Sequence, residues 1–258
     1  MKKLFLSVIA VVTMFASCKK EDNIKETVFK GPVEQFQHGK AWTWYEEDNS
    51  GKPFRVAIAI DDAAMNSLDT SHADSGGHSH ENSSVLKFHP KVAATPFMHV
   101  GLDWNSQGHE PMFIYGKPHF DFHFYMMSED ERMAIPPYES DSMKFKNFPA
   151  PAYLPPTYIN PGGGVPQMGA HWVDYTSPEL NGVPFTQTFI YGSYNGKVNF
   201  YEPMITEAFI KANPNFERSI PQPDKYQKTG YYPTRMRIAK ANGVTNIILE
   251  GFVLRQAL

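Results

Sequence analysis

The sequence predicts a mainly β protein, a barrel or a sandwich of about ten strands with a few short helices. Aromatic residues make up 14% of the chain and are accompanied by 21 prolines and 18 glycines. That balance favours strands and shaped loops over helices. Runs in which apolar and polar residues alternate recur along the chain, and a period of two is typical of half-buried strands.

Strand patterns recur at intervals through the chain and are separated by turn residues. They cover residues 41–46, 54–60, 85–88, 96–104, 119–127, 169–175, 186–193, 197–202, 234–239 and 245–254. Two hairpins are marked by Asn-Gly, a pair that readily takes the positive φ angles of a type I′ turn. Asn195-Gly196 joins the seventh segment to the eighth, and Asn242-Gly243 joins the last two.

Three short helices are predicted, at residues 61–68, 128–134 and 205–213. The first can be capped by Asp61 and Asp62, and the second has Ser128 and Glu131 at the spacing of a capping box. Helices this few and this short do not suit an alternating α/β sheet, which supports the mainly β prediction.

Two stretches are predicted to be loops. Residues 70–84 are polar and carry His72, His78 and His80, which either bind metal weakly or belong to a solvated loop. Residues 136–166 are rich in proline, and loops of such length are usually functional or disordered.

The first residues of the chain fit a bacterial secretory signal. Lys2 and Lys3 precede an apolar run over residues 4–16, and Ser17 and Cys18 follow it. A basic start, an apolar core of about a dozen residues and small residues before the cleavage site are typical of such signals. The run is too short to cross a bilayer, which takes about 20 apolar residues.

The role of Cys18 decides between two kinds of signal peptide, that of a lipoprotein and that cut by the ordinary peptidase. The order Phe15-Ala16-Ser17-Cys18 resembles the bacterial lipobox, although Phe15 stands where Leu is usual, and Cys18 is the single cysteine of the chain. A lone cysteine in an exported protein calls for an explanation. We therefore predict cleavage after residue 17 and lipidation of Cys18. The alternative is a signal cut by the ordinary peptidase, with Cys18 incidental.

The lipid on Cys18 is expected to hold the protein to a membrane of the cell envelope, the outer membrane. Whether the domain is exposed at the cell surface is left open by the sequence. Residues 1–17 are then a signal peptide and residues 18–39 a tether. The run Lys19-Lys20-Glu21-Asp22 is similar to the start of surface-lipoprotein tethers, although a solvated linker explains it equally well. Stable anchoring takes more than one acyl chain, so it rests on the several chains that bacterial lipoproteins carry.

Residues 40–258 are predicted to form a single β-rich domain, and an extension or second lobe from about residue 210 is the alternative. A mature chain of roughly 230 residues is enough for one large core. The net charge of −3 is modest, and Lys and Arg form no patch, so nucleic acid is not an expected partner. A small-molecule ligand is compatible with this composition.

Histidines and carboxylates are concentrated in three motifs. They are Trp-Asn-Ser-Gln-Gly-His-Glu-Pro at 104–111, Pro-His-Phe-Asp-Phe-His-Phe-Tyr at 118–125 and Met-Gly-Ala-His-Trp-Val-Asp at 168–174. In the second motif, His119, Asp121 and His123 alternate with phenylalanines. A strand therefore places these ionisable groups on one face and an aromatic stripe on the other.

Imidazoles and carboxylates are the ligands of borderline divalent metals, at about 2.0–2.2 Å. Residues two apart on a strand lie about 6.6 Å apart and residues four apart about 13 Å, so His119 and His123 share an ion only if the strand bends. On a regular strand, Asp121 pairs with one of them. His171 is the preferred third ligand and His109 a fourth. Zinc is the expected ion, with copper, iron or manganese as alternatives.

Four carboxylates are candidates for supporting the imidazoles: Asp121, Glu110, Asp174 and Glu202. Such groups orient ligand rings, and Asp121 or Glu110 can also transfer protons. The structural alternative stays open, because buried histidines are often satisfied by backbone carbonyls and carboxylates.

At these motifs the sequence resembles an uncharacterised domain family of exported bacterial proteins and lipoproteins. The matching segments are residues 103–105, 108–111, 118–125, 168–172, 177–179, 189–193 and 200–206. The resemblance covers roughly residues 40–210 and implies a shared domain, but it brings no established activity and no catalytic residues.

The sequence thus predicts a lipid-anchored exported protein with a histidine and carboxylate metal site. Its role is either that of a metalloenzyme, in which the ion polarises a substrate oxygen or activates water, or that of a non-catalytic ligand-binding or assembly module with structural histidines. The Gly-x-Ser-x-Gly motif of serine hydrolases does not occur.

Overall fold

Two antiparallel β-sheets make up most of the structure, a computed structural model that describes residues 27–70 and 82–258. Strands account for 46% of it and helices for 18%. The predicted mainly β fold is confirmed, and the two sheets form a sandwich with five short helices. The signal peptide, Cys18 and the histidines His72, His78 and His80 lie outside the described residues.

The first sheet combines strands from both ends of the chain. Across the sheet they are β1 (Thr27–Phe36), β2 (Gly39–Glu47), β3 (Pro53–Asp61), β14 (Val244–Glu250), β13 (Arg235–Ala241) and β11 (Asn215–Ser219). The turn between β13 and β14 is Asn242-Gly243, with both residues at positive φ. This is the second predicted hairpin.

The second sheet has seven strands. Across the sheet they are β4 (Ser83–Lys87), β5 (His99–Asn105), β6 (His119–Tyr125), β10 (Lys197–Thr206), β9 (Gln187–Tyr194), β8 (Ala170–Asp174) and β7 (Tyr158–Ile159). The first predicted hairpin joins β9 to β10 through Asn195-Gly196, again at positive φ.

The smaller elements lie at the edges of the sandwich. They are the strand pair β12 (Gly230–Tyr232) and β15 (Val253–Arg255), and the helices α1 (Asp62–Met65), α2 (Met112–Tyr115), α3 (Glu129–Met133), α4 (Ser142–Lys146) and α5 (Glu207–Ala212). Helix α3 begins with the predicted capping box of Ser128 and Glu131. No helix among the described residues is long and apolar enough to cross a membrane.

The core lies between the inner faces of the two sheets. Phe120, Phe122 and Phe124 of β6 are fully buried there, in one cluster with Tyr45 and Ile58 of the first sheet. The aromatic half of the alternating motif therefore belongs to the core, as the period of two predicts.

The outer face of the second sheet is covered as well. Tyr125 and Phe200 on that face pack in a second apolar cluster with Tyr115, Met168 and Phe185, which come from the connecting segments. Consequently all seven residues of β6 are buried, on both faces. The polar half of the motif lies beneath this cover and not in open solvent.

One predicted boundary is wrong, and one alternative is not what the strands show. Residues 27–36, assigned to the tether, form β1 and pair with β2. Most of that strand is exposed at the sheet edge, so its sequence lacks a clear apolar face. Residues beyond 210 form no second lobe, because β13 and β14 pair with each other and β14 pairs with β3 in the first sheet.

The proline-rich stretch 136–166 is not one plain loop. It contains α4 and β7, and its backbone is tied to the β9–β10 turn. The amide of Asn195 donates to the carbonyl of Lys144 at 3.0 Å, and the amide of Gly196 donates to that of Asn147 at 2.6 Å. These bonds fix part of the cover over the second sheet.

Candidate metal centre

Two groups of side chains on the outer face of the second sheet can hold a metal ion. We call His109, His119 and Asp121 the first group, and His123, His171 and Glu202 the second group. Within each, one ligand atom per residue lies within 4.8 Å of the others. The predicted site residues are thus brought together on one face, but at two points.

In the first group, one carboxylate stands between two imidazoles. The Nε2 atom of His109 lies 3.3 Å from Oδ2 of Asp121, and the Nε2 atom of His119 lies 3.2 Å from Oδ1. His119 and Asp121 are fully buried, whereas the His109 side chain is 16% exposed. His109 is therefore the solvent-facing member.

Backbone carbonyls set the tautomer of both rings in the first group. Nδ1 of His119 lies 2.6 Å from the carbonyl oxygen of Lys117, and Nδ1 of His109 lies 2.8 Å from that of Glu110. A carbonyl can only accept, so each Nδ1 carries the hydrogen. In the neutral ring the lone pair is then on Nε2, the atom that faces Asp121.

Glycine at position 108 allows the segment before His109 to fold back on itself. Gly108 has a φ of +76°, and a Cβ there would collide with the backbone of Tyr115. The turn brings His109 over the end of β6, where its ring centroid lies 4.7 Å from that of His119. This local requirement explains how two residues ten positions apart meet.

In the second group, the three residues come from β6, β8 and β10. The Nε2 atom of His123 lies 3.4 Å from Oε1 of Glu202, and the Nε2 atom of His171 lies 3.8 Å from Oε2. His123 and Glu202 are buried, and the His171 side chain is 19% exposed. The arrangement repeats that of the first group, with one carboxylate between two imidazoles.

The spacing of the ligand atoms suits a shared ion better than direct hydrogen bonds. Two ligands bound at about 2.0–2.1 Å to a tetrahedral ion lie about 3.3 Å apart. Three of the four imidazole–carboxylate separations, from 3.2 to 3.4 Å, match that value, and the fourth, at His171, is 3.8 Å. Nε2 of His119 and Oδ1 of Asp121 are buried and form no hydrogen bond to the residues that the structure describes, and the same holds for Nε2 of His123.

Residues of β5 support both groups from the neighbouring strand. The side-chain amide of Asn105 donates to Oδ2 of Asp121 at 2.8 Å, and Oδ2 of Asp103 accepts from Nδ1 of His123 at 3.0 Å. A carboxylate that orients a ligating imidazole in this way is a common feature of metal sites. Sequence reasoning gave these two residues no role, although their alternation around Trp104 places them on the polar face.

Opposing effects set the charge of the first group. Burial alone would lower the pKa of His109, but the facing Asp121 outweighs it and raises the pKa to about 9. Burial would raise the pKa of Asp121, whereas His119 and His109 hold it well below its usual range. Without another cation, this group holds a proton at neutral pH.

The pKa values of the second group are shifted in a similar way, but one more acidic side chain, Asp103, lies beside it. The pKa of His123 rises to about 9, because Glu202 and Asp103 together outweigh its burial. The pKa of Glu202 rises to about 8, because its burial outweighs the attraction of His123. A divalent ion would compete with these protons for the same ligand atoms.

The trio His119, His123 and His171 does not meet at one point. Strand β6 pairs without interruption with β5, so it has no bulge between His119 and His123. His119 instead meets His109, and His123 meets His171. Asp121 and Glu202, expected as supporting groups, lie at the centre of the first and second group respectively.

Two predicted supporting residues lie apart from both groups. Glu110 is exposed, and its carboxylate accepts from the backbone amide of Met112 at 2.9 Å. Asp174 accepts from the backbone amide and hydroxyl of Thr176 and thereby stabilises a turn. Only the backbone carbonyl of Glu110 contributes to the first group.

Tyr115 is a further polar residue close to the first group. Its ring centroid lies 5.8 Å from that of His109, and its buried hydroxyl forms no hydrogen bond to the described residues. Burial, together with Glu179, Glu202 and Asp121, raises the pKa of the phenol, so the hydroxyl keeps its proton. Sequence reasoning missed this residue, which follows His109 through the turn.

A cavity of about 640 Å³ opens beside the second group. Asp103, which holds His123, lies in its wall together with Gly101 of β5 and Arg132 of α3. The guanidinium of Arg132 lies over the ring of Tyr125, 5.3 Å from the centroid. The carboxylate that orients His123 is therefore within reach of solvent.

Comparison with known proteins gives no relative from which a role can be taken over. No family model, no curated protein and no solved structure matches the chain. The family resemblance noted in the sequence motifs therefore stays a prediction, and the functional argument rests on the geometry.

Proposed function

We propose that this protein binds a divalent transition metal in the first group and uses the ion to activate water. Two imidazoles and one carboxylate form the three-ligand set of catalytic zinc sites, in which a fourth position is open to water or substrate. Zinc is the ion we expect first, and copper, iron and manganese accept the same kinds of ligand.

One observation supports this proposal above the others. Nε2 of His119 and Oδ1 of Asp121 are both buried, lie 3.2 Å apart and form no hydrogen bond within the described part of the chain. The Lys117 carbonyl leaves a lone pair on that Nε2 in the neutral ring. Two buried acceptors at this distance call for a cation between them, either a proton or a metal ion, because a buried polar atom without a partner is costly.

When bound, the ion would act as a Lewis acid that lowers the pKa of its water. The protein's own contribution would be to present three oriented ligands beneath an apolar cover. His109, the partly exposed ligand, marks the side from which a substrate would approach. The exposed Glu110 is not placed to take the proton.

The chain is also proposed to be a lipoprotein of the cell envelope. The motif that ends at Cys18 supports lipidation, and β1 begins only nine residues later, at Thr27. Nine residues span at most about 30 Å. A lipid on Cys18 would therefore keep the sandwich close to its membrane. We propose that this is the outer membrane and that the sandwich faces the cell surface.

Metal content of the purified full-length protein, in detergent, tests the proposal. After dialysis against buffered Zn²⁺, we expect Asp121→Asn and His109→Gln to lose one equivalent per chain relative to the parent. The matched control is His38→Gln, because His38 is exposed and remote from both groups. Thermal unfolding shows whether each variant still folds. If Asp121→Asn, a change at a buried residue, does not fold, His109→Gln alone is the test variant.

A second measurement separates an open, water-activating ion from a closed, structural one. In protein loaded with Co²⁺, azide should change the visible absorption spectrum, since it enters the open position. An unchanged spectrum would favour the alternative function, a non-catalytic binding or assembly module. The complete burial of β6 is the observation that favours that alternative. Full metal content in both first-group variants would refute metal binding there.

A further inference from the structure

The second group has the same ligand set as the first but a different surrounding. Nε2 of His123 and Oε2 of Glu202 are buried and have no hydrogen-bond partner among the described residues. His123 and Glu202 lie on the neighbouring strands β6 and β10. Glu202 directly follows Tyr201, which pairs with Phe124 across the two strands. His171 approaches Glu202 from β8 on the other side.

The two groups are too far apart to share one ion. His119 and His123 are four positions apart on a regular strand, which separates them by about 13 Å. Asp121 and Glu202 are diagonal neighbours on β6 and β10, whose Cα atoms lie roughly 7–8 Å apart. Each carboxylate faces its own pair of imidazoles, so the groups are distinct but near enough to influence each other.

Glycine keeps the second group compact. Gly192 of β9 pairs with His171 and with Phe200, and a Cβ at position 192 would collide with the Phe200 ring. With glycine there, Phe200 packs edge-on against His123, at 5.1 Å between centroids, and against His171, at 5.3 Å. The two ligand rings are thereby held on either side of one aromatic side chain.

The number of carboxylates distinguishes the second group. Glu202 faces both imidazoles, and Asp103 accepts from the far nitrogen of His123. The first group has the single carboxylate of Asp121, held by the neutral Asn105. Arg132, the cation that shares a cavity with Asp103, lies over Tyr125. Once an ion displaces the proton, the carboxylates of Glu202 and Asp103 would supply two negative charges on this side, and two favour a divalent cation more than one does.

We propose that the second group is a separate divalent-metal site, in which Asp103 orients His123, and that it fills before the first. This goes beyond the proposed function, because the second ion does not depend on the first. The cation it would take is of the same class, a borderline divalent metal such as Zn²⁺.

Zinc titration of the full-length protein against a chromophoric chelator tests the proposal. The parent should bind two equivalents, and Glu202→Gln should remove the tighter one while Asp121→Asn removes the weaker. Asp103→Asn should weaken the tighter site by about 10–100-fold and leave the weaker unchanged, because it alters only the group that orients His123. Asp174→Asn, at the end of β8 and bonded to Thr176, is the control and should change neither.

The outcomes separate this inference from the proposed function. Unchanged binding of two equivalents in Glu202→Gln, or one parent equivalent that only Asp121→Asn removes, would refute the second site and leave the first standing. One parent equivalent that only Glu202→Gln removes would support the second site and refute the first. Equal weakening of both sites by Asp103→Asn would contradict the orienting role. His171→Gln, at a partly exposed ligand, replaces Glu202→Gln if that variant does not fold.

Discussion

Oδ1 of Asp121 faces Nε2 of His119 at 3.2 Å, and no hydrogen bond joins them. The same carboxylate has His109 on its other side at 3.3 Å. Since the Lys117 and Glu110 carbonyls hold the far nitrogen of each ring, both imidazoles offer Asp121 the atom that binds metals. The predictions below follow from this arrangement and from its burial.

Tyr115→Phe should leave metal content unchanged but weaken the binding of an added anion to the Co²⁺-loaded protein. The buried hydroxyl close to His109 has no hydrogen-bond partner among residues 27–70 and 82–258, so we expect it to donate to a ligand held by the ion. Loss of one hydrogen bond to a charged group costs about 1.5–3 kcal/mol, or roughly 10–150-fold in azide affinity. Azide titration of both proteins measures it, and equal affinities would contradict this role.

The stability of the metal-free protein should fall as the pH rises from 6 to 9. The folded pKa of His109, about 9, lies above the ordinary histidine value of 6.5. That of Glu202, about 8, lies above its ordinary 4.5. Groups with a raised folded pKa stabilise the fold at low pH, and this contribution is lost as the pH passes the folded pKa. We expect the Tm to drop by at least about 3 °C.

Thermal unfolding at several pH values, in the presence of a chelator, checks this loss of stability. His109→Gln should show a smaller fall with pH than the parent, because one of the titrating groups is gone. Buffered Zn²⁺ should reduce the fall, since the ion replaces the protons. A Tm that stays constant or rises over this range would contradict the charge arrangement.

Phe122→Ala should destabilise the protein by about 3–5 kcal/mol, because it empties a fully buried position between the sheets. The matched control is Phe113→Ala, at a phenylalanine that is 89% exposed. It should change stability by less than about 0.5 kcal/mol. Chemical denaturation of both variants measures the difference, and similar losses would mean that the Phe122 face of β6 is not the core.

Cys18→Ser should abolish lipid attachment and release the protein from the membrane fraction. Cys18 is the single cysteine, so no other thiol can replace it. Metabolic labelling with a fatty acid, followed by fractionation, measures both effects. Ser17→Ala, which keeps a small residue before the cleavage site, is the control and should still be labelled. A labelled Cys18→Ser protein would disprove the anchor.

The face on which the site lies could be predicted from the sequence. His119, Asp121 and His123 alternate with phenylalanines, and a period of two has one structural meaning in a strand. The Asn-Gly turns likewise predicted both hairpins, because few other pairs accept positive φ at two successive residues. Where local chemistry allows only one backbone geometry, sequence reasoning succeeded.

The division of the site into two groups could not be predicted in the same way. Glu202 meets His123 because β10 pairs with β6, two strands more than 70 residues apart in the chain. His109 reaches His119 through a backbone turn at Gly108. Which strands pair, and which turn a segment makes, depends on packing over the whole domain and leaves no local pattern.

An anomalous difference map from crystals of the zinc-loaded protein tests the central claim most directly. Data collected on both sides of the zinc absorption edge should show a peak about 2.0–2.2 Å from Nε2 of His119, from Nε2 of His109 and from an Asp121 oxygen. Crystals of Asp121→Asn should lack that peak. A zinc-saturated crystal in which His119 is hydrogen-bonded directly to Asp121, without anomalous signal between them, would contradict the account.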